Sequence, residues 1–339
     1  MKQTYFNDSS SQKEALINEF KGNLFEYLLG HSMARKRGIE SRFIQSFGGE
    51  LRSRLSEYES WLRVHDQELI YALPTLAEAC SAKLDQLLGD TKIQNILVMG
   101  KIGSAGGNDH FKEADLLILS EDEKVIPVSL KLCKAHSFVN TKSAGVKSFI
   151  EKYFTPFRRA LEFQTELNQR VELSFLSMAK TLHDMAGLNY QNGFDQRWKD
   201  AGLPELPGQL EKEMNAVVVE SYRPVIAKIR EILLIFHKED PVLFQRCLRP
   251  LLGFGKQGLV QLTCYHQVKD GKKYQLYSID MSSGENLEND MTDCIFEQEN
   301  PDISSFQINC GEVSLQIRVK PMNKFTSMAH KINCSIKNH

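Results

Sequence analysis

Residues 112–135 read KEADLLILSEDEKVIPVSLKLCKA. Within this stretch ADLLILS (114–120) and VIPVSLKLC (125–133) are short runs rich in branched apolar residues, separated by the acidic turn SEDEK. That pattern predicts two strands of a hairpin. NILVMG (95–100) reads the same way, so three consecutive strands are expected. Side chains at i and i+2 of a strand share a face. Ser129 and Lys131 therefore lie on one face of the third strand. Val128, Leu130 and Leu132 lie on the other, which is expected to pack against a helix. Asp115 opens the second strand and can sit beside Ser129 across the turn.

On the N-terminal side, Leu16, Ile17, Phe20, Leu24, Tyr27 and Leu28 recur at three- and four-residue steps and predict a helix over 11–35. Further helix is expected over 50–89, divided near Pro74. On the C-terminal side, 145–163 reads as a helix bent around Pro156, and 165–250 as mostly helical with a loop near 187–208. From about Gly253 the pattern turns to strand. LVQLTCYHQV and KKYQLYSID flank Asp270-Gly271, a strong hairpin signal, and SSFQINC and EVSLQIRVK flank Gly311 in the same way. The expected class is α/β of the mixed α+β kind. Residues 1–164 form a core of helices and strands, 165–250 a helical region, and 251–339 a β-rich region packed on that core.

The composition is that of a globular protein, with 42% hydrophobic and 25% charged residues. No run of about 18 apolar residues occurs, and the polar start MKQTYFNDSSSQKEALINEF lacks a secretory core. A cytoplasmic protein that does not enter membranes is expected. The seven cysteines show no CxxC spacing and read as reduced, mostly buried thiols. A net charge of −1 argues for no polyanion, but Lys124 to Arg159 holds eight Lys or Arg residues and one acid, Glu151. That local excess fits either a phosphate-facing surface or a solvated face balanced elsewhere.

Phosphodiester hydrolysis needs an activated water and charge to offset the phosphate. Mg²⁺ supplies much of both through a few carboxylates and retained waters. A lysine between leucines on a strand, facing the same way as a nearby aspartate, fits such a site. The glycine-rich loop GKIGSAGGNDHFKEAD (100–115) precedes Asp115, and glycines let backbone approach phosphate closely. It lacks a strand-loop-helix setting and a GKS or GKT, so it is not read as a P-loop. No GxSxG is present, which argues against a serine hydrolase.

The stretch KEADLLILSEDEKVIPVSLKLCKA resembles the paired-strand signature of the PD-(D/E)XK nucleases, in particular type II restriction endonucleases. The resemblance implies a restriction-endonuclease-like core, a mixed sheet flanked by helices, over 1–164. It implies Asp115 as the Mg²⁺-binding aspartate, Lys131 as the catalytic lysine, and Ser129 at the position usually held by Glu or Asp. That serine is a departure and removes one carboxylate. FKGNLFEYLLG (20–30) resembles the first core helix of these enzymes and places Glu26 as a second metal ligand. Glu113 is a weaker substitute, and Asp109 and His110 could touch substrate.

Ser137, Asn140, Thr141, Lys142, Ser143 and Lys147 precede an expected helix and could hold phosphates at its N-terminus. In the tail, LQIRVKPMNKFTSMAHKINCSIK, Arg318 and Lys320 share a strand face, with Asn323 and Lys324 just beyond. The expected DNA contacts are Lys134, Asn140, Lys142, Lys147, Lys320, Asn323 and Lys324. The resemblance implies a Mg²⁺-dependent endonuclease cutting double-stranded DNA, with a cognate methyltransferase as genetic partner. Palindromic targets would favour a homodimer. The alternatives are a repair or other defence nuclease on the same core, or a non-catalytic DNA-binding protein with a degenerate core.

Overall fold

The computed structural model describes residues 10–99, 114–253, 258–283, 294–300, 303–311 and 313–338. The fold is of the mixed α+β class, as expected. The chain divides into two compact units. One comprises Met1–Ser137 and Lys256–Leu287, the other Phe138–Gly255 and Glu288–His339. This division differs from the three consecutive regions expected, because a late hairpin returns to complete the first sheet.

The first unit holds helices α1 (Ser10–Lys36), α2 (Glu40–Gln45), α3 (Gly49–His65) and α4 (Gln67–Leu88). Its strands are β1 (Ile93–Val98), β2 (Leu116–Ser120), β3 (Val125–Lys134), β5 (Val260–Lys269) and β6 (Lys272–Ser283). They form one sheet in the order β1-β2-β3-β5-β6. All pairings are antiparallel except β3 with β5, which is parallel. The β5–β6 hairpin turns at Asp270 and Gly271, with φ of 53° and 72°. Positive φ at both positions is what the Asp-Gly pair favours.

The branched runs of β2 and β3 bury Leu116, Ile118, Val128 and Leu130 on one face. There they join Leu262 and Cys264 of β5, Phe25, Leu29 and Met33 of α1, and Leu73, Ala77, Cys80 and Leu84 of α4. Each buried side chain of the Leu, Phe or Met kind contributes roughly 1.5–3 kcal/mol. The helical stretch 50–89 breaks at Asp66, not at Pro74. The Asp66 side chain accepts a hydrogen bond from Leu69 N at 3.2 Å and so caps α4. Pro74 is exposed inside α4, and the helix runs through it.

The second unit holds β4 (Val139–Gly145), α5 (Phe149–Tyr153), α6 (Ala160–Met185), α7 (Gln196–Asp200), α8 (Lys212–Ser221), α9 (Arg223–Glu239) and α10 (Pro241–Leu248). It continues with β7 (Cys294–Phe296), β8 (Ser305–Cys310), β9 (Val313–Pro321) and β10 (His330–Asn338). The strands form an antiparallel sheet in the order β4-β10-β9-β8-β7. Helix α9 packs on β8 and β9. It buries Ile226, Ile229, Ile232, Leu233 and Phe236 on that side. The Phe236 ring stacks on Phe154 and Phe157, with centroids 5.4 and 4.3 Å away.

Two expectations are corrected in this unit. Residues 139–145 form a strand, held by β10, in place of a loop leading into a helix. The following helices are short, and the long α6 starts at Ala160. The tail strand carrying Arg318 and Lys320 is interior to its sheet, flanked by β8 and β10. Among the described residues, no helix is long and apolar enough to cross a membrane. The seven cysteines form no disulfide, and all but the half-buried Cys133 are buried.

Candidate active site

The β2–β3 hairpin places Asp115 where the two strands part. Asp115 N donates to Val128 O at 2.8 Å, and Met99 N donates to Asp115 O at 2.8 Å. The backbone there is thus fixed from both neighbouring strands. The paired register ends at Leu116–Val128. One step further along β3, the Leu130 N–H is taken by the side chain: it donates to Asp115 Oδ2 at 2.6 Å. The carboxylate therefore continues the ladder that β2 no longer supplies.

The same oxygen accepts from Ser129 Oγ at 3.2 Å and from Lys131 Nζ at 3.4 Å. Charged acceptors make stronger hydrogen bonds than neutral ones, so Asp115 is held firmly by one oxygen. Among the described residues, Oδ1 has no donor. Lys131 is about one-third exposed and Asp115 about one-fifth. Lys131 and Ser129 share a strand face with Asp115, as expected.

Glu26 reaches the same place from α1. Phe25 and Leu29 of this helix are buried in the core, and Glu26 sits at the margin of that stripe. Close approach fixes the helix here. A Cβ on Gly30, one turn beyond Glu26, would lie 2.9 Å from the Phe43 ring and 3.5 Å from Leu116 of β2. Burial and, second, repulsion from Asp115 push the Glu26 carboxyl up to about 8, with Lys131 pulling it back. Among the described residues Glu26 has no hydrogen-bond or ion-pair partner. Asp115, Ser129 and Lys131 are in hydrogen-bond contact, and Glu26 lies within electrostatic reach of Asp115 and Lys131.

Mg²⁺ suits this donor set. It needs only a few carboxylates, and an unpartnered buried carboxylate is costly without a compensating charge. Two carboxylates lie within electrostatic reach of each other here, one with an oxygen that has no donor among the described residues and one forced toward its protonated form. Among the described residues no group of three His, Cys, Asp or Glu side chains gathers. Glu113, Asp109, His110 and the rest of the loop 100–113 lie outside the described residues.

The parallel strand β5 adds neighbours that sequence reasoning missed. Ser129 pairs with Gln261 and Lys131 with Thr263, and paired residues share a face. Gln261 and Thr263 are buried polar side chains, 5% and 3% exposed. Asp280 of β6 pairs with Thr263 and extends the polar row. The alternation Gln261, Thr263 within LVQLTCYHQ was the available signal, but the partner strand was not legible.

The expected DNA contacts divide between the units. Lys134 ends β3 and is exposed. Asn140 and Lys142 lie on β4, and Lys147 is exposed in the 3-10 turn after it. Lys320 is half-buried on β9, and Asn323 and Lys324 are exposed in the β9–β10 connection. Lys324 is engaged in an ion pair with Glu205. A helix N-terminus for phosphates after Ser137 is replaced by β4. A cleft of about 680 Å³ between α6 and α8 has one acid, Glu220, which pairs with Arg223 at 3.0 Å. No family model, no curated protein and no solved structure matches this chain.

Proposed function

We infer that this chain is a Mg²⁺-dependent endonuclease that hydrolyses phosphodiester bonds of double-stranded DNA, of the type II restriction kind, acting in the cytoplasm. The observation that carries the reading is the meeting of Asp115, Glu26 and Lys131 where β2 and β3 part. It is the arrangement that the resemblance to PD-(D/E)XK nucleases implies, with the helix carboxylate standing in for the one missing at Ser129.

The residues divide the work as follows. Asp115 Oδ1 and Glu26 would hold a Mg²⁺ ion, which when bound supplies positive charge against the scissile phosphate and makes an attacking water easier to deprotonate. Glu26 would hold the cation as the carboxylate, so binding would displace the proton that its surroundings favour, because the neutral acid lacks the negative charge that Mg²⁺ prefers. Ser129 Oγ and Leu130 N–H keep Asp115 in one orientation. Lys131 Nζ, beside Asp115, orients the water and meets the negative charge that develops on the phosphate.

The second reading is a non-catalytic DNA-binding protein on a degenerate core. Ser129 in the usual acidic position favours it. Incubation with plasmid and phage DNA, with and without Mg²⁺, followed by mapping of the ends, separates the readings. Cuts at fixed positions that need Mg²⁺ support a restriction enzyme with a cognate methyltransferase. Scattered Mg²⁺-dependent cuts support a repair or other defence nuclease. Intact DNA at all Mg²⁺ concentrations supports the second reading.

A further inference from the structure

The sheet of the second unit has two unlike faces. Ile332, Cys334 and Ile336 of β10 and Ile317 and Val319 of β9 are buried on the helix side. The alternate positions of β8, β9 and β10 form the opposite face and are polar or basic, with the exposed Ile295 of β7 at its edge. Arg318 is directly opposite Asn333, Lys320 opposite Lys331, and Gln316 opposite Ser335. The five strands contain no Asp or Glu.

Lys320 and Lys331 form a cross-strand pair of like charge, which destabilises a sheet. Burial, and then Lys331 and Arg318, lower the proton affinity of Lys320. Among the described residues none of Arg318, Lys320 and Lys331 has an acidic partner. Three cations are thus gathered on one face, and among the described residues the Glu297 carboxylate that reaches this face is held by Asn309 and pairs with none of them. An anion supplied from outside removes that cost.

We propose that this face docks the phosphate backbone of duplex DNA, with Arg318, Lys320 and Lys331 meeting phosphates and Gln316 and Asn333 hydrogen bonding beside them. The polyanion follows from the charges; the choice of duplex DNA rests on the nuclease reading. Two observations favour a duplex over a single strand or RNA loop. No aromatic side chain occupies the outward positions, so unstacked bases find no platform there. Three strand spacings of about 4.8 Å separate β4 from β8. The face is therefore wider than the major groove, about 12 Å, and lies along the backbone instead of entering it. Contacts of this kind position the protein on DNA.

The test is a fluorescence-anisotropy titration of the full chain in chelator with a labelled random-sequence duplex, over a range of salt. The variants are Arg318→Gln/Lys331→Gln and Arg318→Glu/Lys331→Glu, with thermal melting as the folding check. The wild type should bind with steep salt dependence. The Gln variant should bind at least about tenfold more weakly, and its log–log salt slope should shrink by about 2, since each lost phosphate contact removes about 0.9. The Glu variant should bind more weakly still. An unchanged affinity and slope in the Gln variant overturns the proposal. So does tighter binding of single-stranded DNA or RNA than of duplex, or no duplex binding by the wild type. Plasmid cleavage separates this from the nuclease reading. Binding lost in the variant, with a wild type that never cuts, leaves the face standing and removes the nuclease. A variant that binds and cuts like a cutting wild type does the reverse.

Discussion

Glu26 and Asp115 are both carboxylates of one site, yet their surroundings treat them oppositely. Asp115 receives three donors on one oxygen. Glu26 receives burial and a neighbouring negative charge, which push its carboxyl up to about 8 from 4.5. The folded protein therefore holds this proton more tightly than the unfolded chain does. That contribution to stability is fully present below about pH 4.5 and is lost as pH rises to about 8. In chelator, Glu26→Gln should melt with the wild type at pH 4 and several degrees above it at pH 8.5. Added Mg²⁺ at pH 8.5 should raise the melting temperature of the wild type and leave the variant unchanged. Identical melting at both pH values would mean that the carboxylate is not strained. At the same scale, Lys324 is paired with Glu205, and an exposed ion pair is worth only about 0–1 kcal/mol, so Lys324→Ala should leave the melting temperature within a few degrees of the wild type. Lys131 and Asp115 were legible because a lysine on a strand and an aspartate at the next strand's start have fixed parity. The setting of Glu26 was legible from its apolar neighbours, but its raised proton affinity was not, because it arises from α1, β2 and β3 together.

Among the elements, the β2–β3 hairpin was legible from its apolar alternation and acidic turn. The β5–β6 hairpin was legible from Asp270-Gly271. The insertion of β5 beside β3 was not, because parallel pairing of residues 128–134 with 260–266 leaves no local mark in either segment. Nor was β4, whose sequence VNTKSAG has a single buried apolar residue, Val139. It is a strand because β10 supplies its hydrogen bonds. The helix that carries Glu26 is set by the close contact at Gly30. Gly30→Ala should force the Phe43 ring or the helix itself to move, destabilising the protein by about 1–3 kcal/mol in urea unfolding. Because the helix bears Glu26, cleavage should fall more than stability explains when assayed well below the melting temperature. Wild-type stability and activity in this variant would show that the helix has room to shift.

For the whole molecule, a net charge of −1 leaves DNA affinity to local concentrations of charge. The eight basic residues between 124 and 159 are divided between the two units. Lys124, Lys131 and Lys134 belong to the first unit and the others to the second, and Lys124 and Arg159 are already paired with Asp122 and Glu162. Lys142→Ala/Lys147→Ala should still weaken duplex binding and reduce the salt slope by up to about 2; an unchanged slope would place both lysines away from DNA. The fold class was legible in the sequence because helix and strand periods are local. The division into units was not, because it depends on which distant strands pair. The nuclease reading itself stands or falls on one measurement: cleavage of a plasmid in Mg²⁺ by the wild type, Lys131→Ala and Glu26→Gln, each also titrated with duplex DNA in chelator. The account expects the wild type to cut and both variants to lose at least about a hundredfold in rate, on the scale of removing one electrostatic group, while binding DNA as well as the wild type. Variants that cut like the wild type, or a wild type that binds duplex and never cuts, would contradict it.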